Sequence, residues 1–125
     1  MTLTFQSRDQ LRAADAYKAS KDLEKNDLNR LPGLILGDGL LPTLAFVIEK
    51  SESQEGMKKA MDRVAQYLFK EDICKPPATG RRDSEGLLEY LLSQDSLTLQ
   101  HVTSEVLAYL AYLKRFAKKG NDETS

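Results

Sequence analysis

Residues 31–50, LPGLILGDGLLPTLAFVIEK, form the one long weakly charged segment of a 125-residue chain in which 30% of positions carry charge. Eleven of the eighteen positions from 31 to 48 are apolar and only Asp38 is charged, so this segment must supply much of the core. Pro32, Gly33, Gly37, Gly39 and Pro42 punctuate it. The longest piece between these breakers falls far short of the roughly 20 apolar residues a bilayer requires. Irregular backbone at Gly37-Asp38-Gly39 would also be intolerable against lipid. A membrane span is excluded, and the spacing predicts two short buried helices. Pro32 opens one over residues 31–36, where its missing N–H is no loss, and Gly37 closes it in the left-handed conformation. Asp38 or Gly39 then caps the other over 40–49, with Pro42 in its first turn. Leu44, Ala45, Phe46, Val47 and Ile48 are apolar on every side, the pattern of a helix surrounded by others.

On the N-terminal side, Ser7 followed by Gln10 offers a capping box. No proline or glycine interrupts the stretch from there to Asp27, which predicts a helix over residues 7–27. Its apolar positions are mostly alanines (Ala13, Ala14, Ala16, Ala19) with Leu11, Tyr17 and Leu23, and its charges sum to zero. It reads as a packing helix that lets a neighbour come close. On the C-terminal side, Met57, Ala60, Met61, Val64 and Leu68 recur at three- and four-residue steps, predicting an amphipathic helix over 54–70. Lys58, Lys59, Asp62, Arg63 and Gln66 lie on its outer face. Pro76, Pro77 and Gly80 make 71–83 a loop, and Leu87, Leu88, Leu91 and Leu92 mark a short helix over 84–93. Asp95, Ser96 or Thr98 caps a last helix that runs to 119, where Gly120 stops it. At 100° per residue, Leu99, Val102, Val106, Leu110, Leu113 and Ala117 fall within an arc of roughly 80°. No segment alternates with period two. The expectation is an all-α, single-domain bundle of five to six helices over residues 1–120, with a frayed tail over 121–125.

A chain of this length removes about two-thirds of its unfolded surface from water without disulfides or metal. Cys74 is the sole cysteine and no apolar stretch opens the chain, which points to a reducing, cytoplasmic setting. The net charge of −1 argues against a protein that coats nucleic acid through bulk charge. No catalytic constellation is legible. His101 stands alone, without HExxH or a cysteine pair, so no metal and no cofactor is expected. Gly37-Asp38-Gly39 follows a helix rather than a strand and lacks a third glycine, which makes it a turn and not a phosphate loop. Cys74 beside Lys75 has no base in its local sequence. The carboxylate pairs Glu71/Asp72 and Glu85/Glu89 lack the apolar setting that would split two pKa values. The chain does not read as an enzyme.

What remains is clustered charge. Over residues 97–119 the last helix carries Lys114, Arg115, Lys118 and Lys119 against one acid, Glu105. Cations in final turns complement the helix C-terminus, worth about 0.3–1 kcal/mol each. They also suit phosphate: four contacts to a single strand would give a log–log salt slope of roughly −3. Lys50, Lys58, Lys59 and Arg63 form a second candidate set, and Arg81-Arg82 add charge in the loop. Opposite the apolar stripe, Ser104, Ala108 and Ala111, flanked by His101 and Tyr112, form a strip of small residues. The strip is either a run of good helix formers or a surface where a partner's backbone comes close, with Tyr112 as anchor.

Two segments together carry a family resemblance. LPGLILGDGLLPTLAFVIEK resembles the Leu-Pro…Ile…Asn-Gly-Leu…Thr-Leu-Ala-Phe…Lys block of the small α-helical subunit of the Cmr effector complex, the type III-B CRISPR system. TSEVLAYLAYLKRFAKK, residues 103–119, resembles that family's closing Thr-x-Glu-Ala-Leu…Trp-Leu-Lys-Arg-Phe-Ala helix. Order, separation and chain length match, so the resemblance spans nearly the whole chain. Asp38 stands where the family commonly has asparagine, Gly33 loosens the first short helix, and Tyr112 replaces the usual tryptophan. The resemblance implies a non-catalytic subunit of an antiviral complex, stacked in several copies beside the backbone subunits that hold guide RNA, and partnered by the large subunit. It implies contact with target RNA paired to the guide, through Lys114, Arg115, Lys118 and Lys119 first and Lys50, Lys58, Lys59 and Arg63 second. The alternatives are a type III-A small subunit, over which the Leu-Ala-Phe block favours the Cmr type, and a helical adaptor that meets no nucleic acid.

Overall fold

The computed structural model describes residues 6–117. The expected tail over 121–125, and Lys118 and Lys119, lie outside the described residues. Six α-helices follow one another: α1 (Arg8–Ala19), α2 (Lys25–Asp38), α3 (Leu40–Glu49), α4 (Glu55–Lys70), α5 (Ser84–Leu92) and α6 (Ser96–Phe116), with a 3-10 turn (Ser20–Asp22) after the first. No strand forms among the described residues, and the all-α expectation holds. No described helix is long and apolar enough to cross a membrane.

α1 starts where the capping box placed it. The Gln10 amide donates to Ser7 Oγ at 3.1 Å, and the Ser7 amide donates to Gln10 Oε1 at 2.8 Å. It does not run to Asp27. Leu23 and Leu28 are both buried, yet five residues of continuous helix would set them about 140° apart. The chain satisfies both by breaking: Leu23 and Glu24 adopt extended backbone, and α2 begins afresh at Lys25.

The second correction concerns Pro32, which lies inside α2 rather than opening a helix. An interior proline costs about 3 kcal/mol. Leu28, Leu31 and Ile35, at steps of three and four on one face, are each at most 2% exposed, and burying each stabilises by roughly 1.5–3 kcal/mol. Periodic burial outweighs the breaker. Gly37 is likewise helical, and the chain turns at Gly39 instead. There φ is 102° and ψ 162°, a conformation open to glycine alone. The Gly39 carbonyl accepts from the Thr43 amide and hydroxyl, so α3 starts directly with Pro42 in its first turn. α3 spans 40–49 as expected but is not surrounded: Ala45 is exposed, and Phe46 and Ile48 are only half-buried.

α4 buries Met57, Ala60, Met61, Val64, Ala65, Tyr67, Leu68 and Phe69 and packs against α2, α3, α5 and α6. The loop over 71–83 carries Cys74 fully into the core. Asp83 caps α5 by accepting from the Gly86 amide, and Asp95 caps α6 by accepting from the Thr98 amide. α6 lies across α1, α2 and α4, burying Val102, Val106, Leu110, Leu113 and Ala117 as the arc predicted. It ends at Phe116, short of 119, because Ala117 already has extended backbone.

Candidate nucleic-acid interface

The C-terminal turns of α6 show how sequence positions a charged surface. Leu110, Leu113 and Ala117 bury one face, and the helical period then turns Lys114 and Arg115 outward. Neither makes an ion pair among the described residues, and the same holds for Lys50 at the end of α3. The sole acid of α6, Glu105, points the other way. It is 8% exposed. Arg12 Nε donates to its Oε2 at 2.7 Å, Arg12 Nη2 to its Oε1 at 3.0 Å, and the Tyr67 hydroxyl to its Oε2 at 2.7 Å. The outward surface of α6 is left with cations only.

Three members of the second set serve the fold. The Lys58 ammonium lies 3.0 Å from Asp62 and 3.0 Å from Glu85, with its side chain 16% exposed. Burial works to lower its pKa, and the hydrogen bonds it donates to Glu85 and Asp62 prevail and raise it. Asp62 also accepts from the Ser84 amide and hydroxyl, so this cluster ties α4 to the start of α5. Arg63 lies 2.6 Å from Asp22 and Lys59 lies 3.7 Å from the same carboxylate, fixing the turn after α1 onto α4. The structure thus brings Lys114 and Arg115 together at one end of α6 and places Lys58, Lys59 and Arg63 in ion pairs elsewhere. In the small-residue strip Ser104 and Ala111 are exposed and Ala108 is half-buried. Tyr112 donates its hydroxyl to Asp9 at 2.6 Å, which holds the ring against α1.

Two groups escaped the sequence reading. One is the polar seam between α1, α4 and α6. Besides the Glu105 cluster, it contains the Tyr109 hydroxyl donating to Asp15, which also holds Lys70 at 3.0 Å, and the stacked rings of Tyr67 and Tyr109, 4.1 Å apart. Burial works to raise the Glu105 carboxyl, but the hydrogen bonds from Arg12 and Tyr67 hold it below its ordinary range. Burial, then the bond to Glu105, pushes the Tyr67 phenol up. The partners lie up to 94 positions apart in the chain, so no local pattern signals them. The other is an aromatic cluster at the α1–α6 crossing. The Tyr17 and Phe116 rings meet edge-to-face at 5.4 Å, Tyr112 stacks on Phe116 at 6.2 Å, and the Lys21 ammonium lies 4.3 Å over the Tyr17 ring. Tyr17 and Lys21 at i and i+4 were the available signal.

The Cys74 thiol is pushed up to about 12 by burial, against activation by Lys75. Among the described residues no three of His, Cys, Asp and Glu converge as a metal-binding group.

Fold and surface define a class: among the described residues, a six-helix bundle whose ion pairs mostly lock its own helices together, with cations at the end of the last one that find no partner there. A family model described as CRISPR-associated protein (Cas_Cmr5) matches residues 8–119. The crystal structure of a CRISPR-associated Cmr5 family protein from Thermus thermophilus is similar, with a TM-score of 0.70 and 28% sequence identity over 89% of this chain and 95% of that one. The chain belongs to the Cmr5 family, the small subunit of the Cmr type III-B CRISPR complex.

Proposed function

We propose that this small subunit is a non-catalytic RNA-contacting element that stacks in several copies along the guide-RNA filament of a cytoplasmic antiviral complex. The observation that carries the reading is the division of charge on α6: Glu105 is turned inward and neutralised by Arg12, while Lys114 and Arg115 face out without partners among the described residues. A helix face with cations alone attracts a phosphate backbone through counterion release, and such contacts position a strand without reading its sequence. Base pairing to a guide supplies that readout. Lys118 and Lys119 extend the same run in the sequence. Lys50 adds an exposed cation at the end of α3. Lys59 and Arg63 offer a strand less charge, because Asp22 sits between them, and Lys58 is drawn into the fold. Ser104, Ala108, Ala111 and Tyr112 are the proposed contact with neighbouring subunits, with Tyr112 already held in place by Asp9. A non-catalytic role is supported by the raised thiol of Cys74 and by the absence of a neighbouring base for it in the sequence.

The test is target-RNA binding by the assembled complex across a salt series, with Lys114→Ala/Arg115→Ala in this subunit. Losing two single-strand phosphate contacts should weaken binding and flatten the log–log salt slope by about 1.4. An unchanged slope in an intact complex would remove RNA contact from this surface and leave the helical-adaptor reading.

A further inference from the structure

The exposed rings at the α1–α6 crossing point to a second mode of contact at the same end of the molecule. Tyr17 is 55% exposed and Phe116 40%, unusual for large rings in a chain that buries Tyr67 and Tyr109 almost completely. They are contiguous, edge-to-face at 5.4 Å, with Tyr112 stacked behind Phe116. The Lys21 ammonium lies 4.3 Å over the Tyr17 ring, so an exposed lysine side chain rather than a packed helix covers this ring face. Lys18 on α1, Lys21 in the 3-10 turn after it and Arg115 on α6 stand exposed nearby, with no ion pair among the described residues. Three acids of α1 and the turn after it are already engaged: Asp9 with Tyr112 and Arg12, Asp15 with Tyr109 and Lys70, Asp22 with Arg63.

We propose that Tyr17 and Phe116 form a stacking platform for an unpaired base of single-stranded RNA, with Lys21 and Arg115 on the flanking phosphates. This rests on the RNA-contact reading of α6 and extends it from backbone to base. Rings beside free cations are the combination by which single strands are held without sequence preference, since every base has a π-face. A protein partner fits less well, because lysine is depleted at the centres of protein interfaces. The Lys21 side chain is long enough to leave the ring for a phosphate as a base takes its place, and the ring's cation-binding face is then reused for stacking.

The experiment uses the assembled complex and a target RNA with 2-aminopurine at unpaired positions. Binding is measured for wild type, Tyr17→Leu, Tyr17→Trp and Lys114→Ala/Arg115→Ala. Tyr17→Leu should weaken binding roughly five- to tenfold, leave the salt slope unchanged, and restore fluorescence at one 2-aminopurine position that wild type quenches. Tyr17→Trp should retain both affinity and quenching. If Tyr17→Leu binds as wild type while the Lys114/Arg115 variant is weakened, the platform is overturned and the backbone contact stands. If neither variant is weakened, both readings fall. If Tyr17→Leu instead expels the subunit from the complex, the rings belong to a protein interface and the proposal is wrong.

Discussion

At the residue scale, Glu105 decides what α6 presents. It is the only acid on that helix, and a single bidentate partner, Arg12, removes it from the surface. Breaking a buried pair by deleting one member costs about 3–5 kcal/mol. The Arg12 side chain keeps 20% exposure, so Arg12→Ala should destabilise the isolated subunit by the lower figure, about 3 kcal/mol, read by urea unfolding. Tyr67→Phe should cost about 1.5–3 kcal/mol, the worth of a hydrogen bond to a charged group. The Glu105 carboxyl is held below its ordinary range in the fold. The unfolded chain therefore binds a proton first as pH falls. The stabilisation is complete above about pH 5 and is lost as pH drops through the lowered folded-state pKa. An acid titration of Glu105→Gln should lack that part of the decline seen in wild type. None of this was legible locally: a lone Glu on a helix looks the same whether it faces solvent or an arginine 93 positions away.

At the element scale, the lesson lies in α2 and its junction with α3. Proline and glycine in this segment read as breakers, whereas Leu28, Leu31 and Ile35 carry the helical period across Pro32. A Cβ added at Gly33 or Gly37 meets nothing within 4 Å. Gly33→Ala and Gly37→Ala should therefore each stabilise by roughly 0.5–1 kcal/mol. Gly39→Ala should do the opposite, by about 1–3 kcal/mol, since φ of 102° strains any side chain. Thermal unfolding of the three variants separates the turn from the helix: equal effects at Gly37 and Gly39 would contradict the assignment. Where a cap marked the start, as at Ser7 and α6, or apolar spacing did, as at α4 and α5, helix starts were legible to within a residue. The break after α1 was not, because no breaker marks it.

At the scale of the whole molecule, a near-neutral chain acquires a cationic end by internal pairing. Asp15, Asp22, Asp62 and Glu105 are spent on Tyr109 and Lys70, Arg63, Lys58, and Arg12. Raising salt from low to physiological strength should therefore weaken target-RNA binding by the assembled complex more than the net charge of −1 suggests. Charge reversal at Lys114 and Arg115 to Glu should weaken it further and lower the unfolding free energy by roughly 0.6–2 kcal/mol, since both cations lie in the last turn of α6 and complement its C-terminus. The sequence by itself determined that the chain is helical, where most helices begin, which stripe of α6 is buried, and the family, because these reside in periodicity, capping and short blocks of residues. Only the tertiary structure decided which charges survive at the surface and which rings stay open to solvent. Both depend on partners brought together across the chain by packing, and pairing at that distance leaves no mark on local sequence.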